Sequence, residues 1–278
     1  DYGALFASIR HKGQSIGEVV ALNIGDRSKK LFLIFSYLTL VLVVGAFASI
    51  VAGTFNGFMT DASGALVHNH VNGSTATISL LFIVLAVIFG LLVYRFEMPL
   101  GRATLLGVAG IVGVIALGLR FPLYAGYDTW MWLLGLYILV ASVTPVWILL
   151  QPRDYLSSFL LYAMMLAAVV GIVAAHPVIE LPAFTSFEVN GQYLFPALFV
   201  TVACGAISGF HSLVASGTTS KQLSSERDAR LVGFGSMLIE SALGIASLIA
   251  VGYIFTQNGH AFTSQTPTQV LADGLSQM

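Results

Sequence analysis

Seven stretches of this chain, near residues 31–55, 76–94, 104–120, 130–150, 155–175, 194–214 and 231–256, are long and apolar with almost no charged side chain inside them. Each approaches the roughly 20 residues that a helix needs to cross a hydrocarbon core. Their apolar residues run continuously rather than in a stripe, so no face is left for water. Inside a bilayer every backbone N–H and C=O must be bonded within the protein, which leaves helices as the natural spanning element. The expected fold is therefore all-α, a polytopic transmembrane helix bundle of about seven spans. The third segment is the weakest, because Gly107, Gly110, Gly113 and Gly118 dilute it and Arg120 closes it early. Pro145, inside the fourth, is expected to kink that helix by removing a backbone bond. Gly45, Ser49 and Gly53 repeat every fourth residue on the first span, which permits a tight helix contact there.

The twelve Lys and Arg residues are distributed in alternation. Arg10, Lys12, Arg27, Lys29 and Lys30 precede the first span; Arg95 and Arg102, Arg153, and then Lys221, Arg227 and Arg230 occupy every second connection after it. Arg120 alone falls in the intervening set. Because cytoplasmic loops carry the Lys/Arg excess, 1–30, 95–103, 151–154 and 215–230 are expected to face the cytoplasm, and 56–75, 121–129, 176–193 and 257–278 the outside. A cysteine placed at Ser63 should then react with an impermeant reagent added outside, and one at Ser225 should not; the reverse labelling overturns the orientation.

Charged residues make up 9% of the chain and the formal net charge is −1, against about 25% charged in soluble domains. No basic tract offers a footprint for nucleic acid. Cys204 is the only cysteine, which rules out an internal disulfide and a thiolate cluster and reads most simply as a small buried residue. The start at Asp1 and the polar end at Met278 predict an internal piece of a longer protein, with N- and C-terminal portions outside it. The domain reading is one transmembrane domain over 1–278: a cytoplasmic or surface segment at 1–30, the bundle at 31–256 and an outer loop at 257–278.

The sixth apolar segment breaks down chemically. Ala203–Ser212 fills with glycine, hydroxyls and a histidine and then runs into Ser216-Gly217-Thr218-Thr219-Ser220-Lys221. Polar or unwound backbone at membrane depth persists only where it faces protein or a wet cavity, and discontinuous helices of this kind form solute sites in secondary transporters. Gly205, Ser208, Gly209, His211, Ser212, Ser216, Gly217, Thr218 and Thr219 are thus the candidate substrate-binding residues. The plainer alternative is close helix packing, with Ser and Thr bonding back to their own helix.

Glu240 is the only carboxylate well inside an apolar span, where an ionised side chain costs about 2.5–3.5 kcal/mol on insertion scales. It is expected to be neutral, paired or in contact with water, with Ser236, Gly244 and Ser247 on its face of the helix. That makes Glu240 a candidate proton or cation coupling site, or else a structural carboxyl satisfied by neighbouring hydroxyls. For His211 three roles stay open: binding a carboxylate, relaying a proton as a second coupling group, or capping backbone carbonyls. Lys221 could attract an anion at the cytoplasmic mouth, although an ordinary positive-inside lysine explains it more simply.

Other motifs are weak. His68 and His70 lack the further ligands of a metal site, so no metal and no cofactor is expected beyond a coupling ion, H⁺ or Na⁺. Asn72-Gly73-Ser74 matches a glycosylation acceptor by pattern alone. The Gly217–Lys221 run lacks the order and preceding strand of a phosphate loop. No catalytic constellation reaches motif strength, and the chain is not expected to be an enzyme.

Three stretches carry a family resemblance: Asp1–Arg10 with Gly13–Glu18, Pro145–Tyr155, and Ala203–Ser212 continuing through Ser216–Gln222. In these the chain resembles the carbon starvation protein A family of bacterial inner-membrane transporters. The resemblance implies ion-gradient-driven uptake of peptides or of a small carboxylate such as pyruvate, and induction on carbon starvation. It also implies a fold akin to the amino acid–polyamine–organocation transporters, with a discontinuous helix and with a glycine-rich helix upstream of residue 1. A membrane sensor or structural subunit that binds solute without moving it is the alternative. Peptide against pyruvate, H⁺ against Na⁺ and the oligomeric state stay open at this level.

Overall fold

A computed structural model describes residues 2–60, 64–178, 181–182, 184, 186–189, 191–202, 209–258 and 267–278. The chain is mostly helical, and among the described residues five helices are long and apolar enough to cross a membrane: Asp26–Phe55, His70–Arg95, Leu100–Arg120, Leu150–Ala175 and Asp228–Thr256. By chain contacts it divides into two compact units, one drawn from Asp1–Val41, Ile172–Ser264 and Asp273–Met278, the other from Leu42–Gly171 and Gln265–Ala272.

In chain order the helices are α1 (Tyr2–Arg10), α2 (Ile16–Asn23), α3 (Asp26–Phe55), α4 (His70–Gly90), α5 (Leu100–Arg120), α6 (Tyr127–Val143), α7 (Leu150–Ala175), α8 (Gly209–Val214), α9 (Ser236–Asn258) and α10 (Pro267–Gln277). Two antiparallel hairpins complete the described elements: β1 (Phe58–Thr60) with β2 (Leu66–His68), and β3 (Glu188–Val189) with β4 (Gln192–Tyr193).

In the second unit, α5 buries Ala103, Gly107, Ile111, Val114 and Gly118, a three-and-four spacing that defines one helix face. That face meets α4 and α7 in a core of Ala86, Phe89, Ala103, Ile111 and Leu156. Lipid tails are as apolar as leucine, so helices associate in a bilayer by close packing rather than by hydrophobic burial. The glycines of α5 serve that packing. A Cβ on Gly107 would stand 2.7 Å from Leu156, one on Gly110 2.6 Å from Leu85, and one on Gly118 2.3 Å from the Ile78 side chain and 3.1 Å from its backbone nitrogen.

Asn69 caps α4 by accepting from the Asn72 N–H at 3.1 Å, satisfying one of the orphan donors at a helix start. Asn72 itself is buried and donates to the Asn56 carbonyl at 2.9 Å, which is not the exposed loop position a glycan acceptor requires. The His68 ring lies against Phe58 and Tyr124, and His70 Nδ1 is 3.4 Å from the Ser74 hydroxyl.

Four expectations change. The fourth apolar stretch is not one kinked helix: α6 ends at Val143, and Thr144 turns to an extended backbone before Pro145, because a residue preceding proline is pushed out of the helical region. The chain re-enters helix at Leu150, so Arg153 belongs to the first turn of α7 rather than to a loop. Gly45 and Gly53 have open space where a Cβ would stand; on that helix the described contact is instead the Ser49 hydroxyl against Tyr127 Oη at 2.8 Å. Residues 267–277, assigned by sequence to the last outer connection, form α10, and its Gly274 packs so closely on α9 that a Cβ would stand 2.6 Å from the Ala250 carbonyl oxygen.

Candidate functional site

The candidate site lies in the first unit, and α1 organises it. α8 continues without a break through a π-helical turn, Ala215–Thr219, to Ser220–Gln222. A second π-helical turn, Leu231–Gly235, leads into α9. α1 packs on both, with Leu5, Ala215 and Ala229 as the buried core. Gly233 makes the approach possible, since a Cβ there would stand 3.0 Å from the Tyr2 Cα. Wide π turns are rare and concentrate at functional sites.

Ser8 is fully buried, and its one hydroxyl proton has three acceptors in reach: the Gln14 carbonyl at 2.6 Å, the Ser216 carbonyl at 3.2 Å and Ser220 Oγ at 2.9 Å. Ser220 Oγ also donates to the Ser216 carbonyl at 2.9 Å. The Ser216 hydroxyl accepts from the Ile16 N–H at 3.3 Å and reaches the Ser212 carbonyl at 3.0 Å. Removing the Ser8 hydroxyl leaves buried acceptors short of a donor, which costs about 1–3 kcal/mol. Ser8→Ala is expected to lower the thermal midpoint of the detergent-solubilised protein, and a midpoint equal to wild type refutes this role.

The sequence candidates separate by position. Gly205 and Ser208, with Cys204, lie outside the described residues. Gly209 opens α8. Ser212 and Ser216 take part in the hydrogen-bond set that ties α8 and the π turn to α1 and α2. Gly217 and Thr218 sit inside the π turn, so the backbone there is helical with a wider turn rather than unwound. Thr219 and His211 line a cleft of about 140 Å³ together with Leu5, Val232 and Ser236, with room for several waters. Lys221 lines a separate cleft of about 420 Å³ with Lys12 and Glu226.

His211 and Glu240, proposed separately from sequence, come together. His211 Nδ1 stands 3.6 Å from Glu240 Oε2, too long for a hydrogen bond but within ion-pair reach when the imidazole is protonated. Their side chains keep 43% and 37% of their surface exposed, so the described residues do not enclose the pair. The serines expected to satisfy Glu240 are otherwise engaged: Ser236 Oγ donates to the Val232 carbonyl at 2.6 Å and Ser247 Oγ to the Leu243 carbonyl at 2.8 Å.

Three contributors escaped the sequence reading. Leu5 and Ser8 on α1 supply a wall and an anchor of the site, yet α1 is too short to register as a span. Gly233 gave no signal beyond being one glycine among 28.

The family model described as carbon starvation protein CstA matches residues 1–277. The peptide transporter CstA of Helicobacter pylori strain J99 is 37% identical over 271 residues, covering 91% of this chain and 37% of that protein. The peptide transporter CstA of Escherichia coli K12 is 35% identical, covering 98% of this chain and 38% of its own length. The pyruvate/proton symporter BtsT of the same strain is 33% identical, covering 96% and 37%. The chain thus spans well under half the length of these relatives. No solved structure matches it.

Proposed function

This chain belongs to the carbon starvation protein CstA family, and on that premise we propose that it forms part of a secondary active transporter of the bacterial inner membrane. The transporter takes up peptides or a small carboxylate such as pyruvate, with the proton as coupling ion and no catalytic step. Relatives named as a peptide transporter and as a pyruvate/proton symporter support both solute classes and the choice of ion. A fold like that of the amino acid–polyamine–organocation transporters, with about seven spans contributed by this part, belongs to the same reading.

The observation that carries the proposal is the His211–Glu240 pair beside a cleft framed by two π-helical turns. Imidazole and carboxyl both exchange protons. With one proton between them the pair is either two neutral groups or an ion pair, and the two arrangements place different charge on the cleft wall. With Glu240 protonated, a protonated His211 draws in an entering carboxylate, and loss of the Glu240 proton on the other side of the membrane restores the His211–Glu240 ion pair and releases the solute; this is a differential interaction of the kind a two-state carrier requires. Gly205, Ser208, Gly209, Ser212, Ser216, Gly217, Thr218 and Thr219 make up the surrounding solute-binding segment. Within it Thr219 faces the cleft, and Ser216 holds the π turn in place.

The test is uptake by the full-length protein across short peptides and small carboxylates, with and without a protonophore. Accumulation that the protonophore abolishes supports the proposal. Accumulation that follows a sodium gradient and ignores the protonophore overturns the choice of ion. Binding without counterflow in liposomes overturns transport and indicates a sensor.

A further inference from the structure

The second unit holds a cavity of about 470 Å³ among α3, α4, α6 and α7. Its walls are apolar, with Val51, Phe55, Ile83, Leu134 and Leu160 among them, and no Asp or Glu among the described residues lines it. At one end Arg153 Nη1 donates to Tyr137 Oη at 3.4 Å, and Ser157 stands one helical turn further along α7. Trp130 lines the cavity two turns before Tyr137 on α6, about 10 Å along the helix axis. The Trp130 ring is buried edge-on against Phe55, and its indole N–H has no acceptor among the described residues.

We propose that this cavity takes one acyl chain of an anionic phospholipid, with the lipid phosphate on the Arg153 guanidinium. Arg153 sits in the first turn of α7, at the depth where a span meets the headgroup layer. Tyr94 Oη donates to Gln151 Oε1 at 3.1 Å, so the start of α7 lies at the same end of the unit as the short 96–99 connection. Arg95 and Arg102 flank that connection, which carries Glu97, so with Arg153 and Asp154 this end holds three arginines against two acids. Such juxtamembrane cations attract anionic lipid.

A guanidinium has five donors in a fork that fits phosphate. Arg153 uses one in a long bond to Tyr137. Its contact with Asp154 is 3.6 Å between side chains 41% and 59% exposed, which is the geometry of a weak surface pair. A zwitterionic peptide with its carboxylate on Arg153 fits poorly, because its ammonium would reach along walls that carry no acid among the described residues, at a cost of several kcal/mol. A monoanion with a long apolar body matches both the charge and the walls.

The test uses the full-length protein and its Trp130→Phe variant in phosphatidylcholine vesicles doped with brominated phosphatidylglycerol or brominated phosphatidylcholine. The difference between the two proteins' emission isolates Trp130. The expected result is that brominated phosphatidylglycerol quenches Trp130 at about one-fifth the mole fraction that brominated phosphatidylcholine needs, the scale of one cation near an anionic surface. Arg153→Gln should abolish the preference and Arg153→Lys should keep most of it. Equal quenching by the two lipids in the wild type overturns the proposal without recourse to any Arg153 variant. So does quenching by neither, which would mean that protein covers the cavity, and so does relief of quenching by excess short peptide or pyruvate, which would make it a solute site. A preference that survives Arg153→Gln removes the assigned phosphate ligand and overturns it as well.

Discussion

Under the proposed proton coupling, Glu240→Gln in the full-length protein is expected to abolish gradient-driven accumulation while leaving downhill exchange in place. The amide keeps the volume of the side chain and its polar contact with His211, 3.6 Å away in the wild type, but it cannot take up or release a proton. For a zwitterionic peptide carried with one proton, the one net charge moved through about 100 mV is worth about 2.3 kcal/mol, roughly a fiftyfold concentration ratio at equilibrium. The accumulation ratio in proteoliposomes should therefore fall from that order to about one, with counterflow near the wild-type rate. If Glu240 is purely structural, accumulation and counterflow fall together, in step with the amount of folded protein. Wild-type accumulation by the Gln variant removes Glu240 from the coupling step and leaves His211 as the group to test.

Gly118→Leu is expected to prevent stable packing of α4 on α5. A Cβ at this position would stand 2.3 Å from Ile78 Cγ1, 3.1 Å from the Ile78 nitrogen and 3.3 Å from its Cα. Two of those three atoms are backbone, so a rotamer change cannot make room and the helices must separate. Overpacking of a well-packed core typically costs 1–3 kcal/mol, and a backbone clash belongs at or above the top of that range. Gly113→Leu on the same helix meets open space and serves as the control. The first variant should lose monodisperse protein on size exclusion and the second should retain it; equal yields would show that the α4–α5 contact is not what holds this unit together.

The same pair of glycines shows how far the sequence could be read. Gly107, Gly110, Gly113 and Gly118 looked alike as residues that weaken a span. Three turned out to be the points where α5 touches its neighbours, and Gly113 points away. Helical periodicity sets 107, 110 and 118 on one face, but which face meets a partner depends on where the partner lies. Gly45 and Gly53 on α3 make the converse case, with suitable spacing and no close neighbour among the described residues. For the candidate site, the chemistry of His211 and Glu240 was legible because an ionisable group in an apolar run is costly and therefore informative. Their pairing was not, since it joins α8 to α9 through a packing arrangement that no local pattern encodes.

Local composition was enough to determine that this chain is helical, that it spans a membrane several times, that Lys and Arg concentrate in alternate connections, and that ionisable groups at depth mark the region to examine. These properties follow from the transfer cost of each segment by itself, which a sequence window contains. Tertiary structure alone decided that Pro145 ends a helix instead of bending one, that Ser216 and Gly217 lie in a widened helical turn held by Ser8, that Glu240 faces His211 rather than Ser247, and that Arg153 borders an apolar cavity. Each of those outcomes depends on which surfaces of separate helices come within van der Waals distance, a condition set by the whole packing and absent from any one segment.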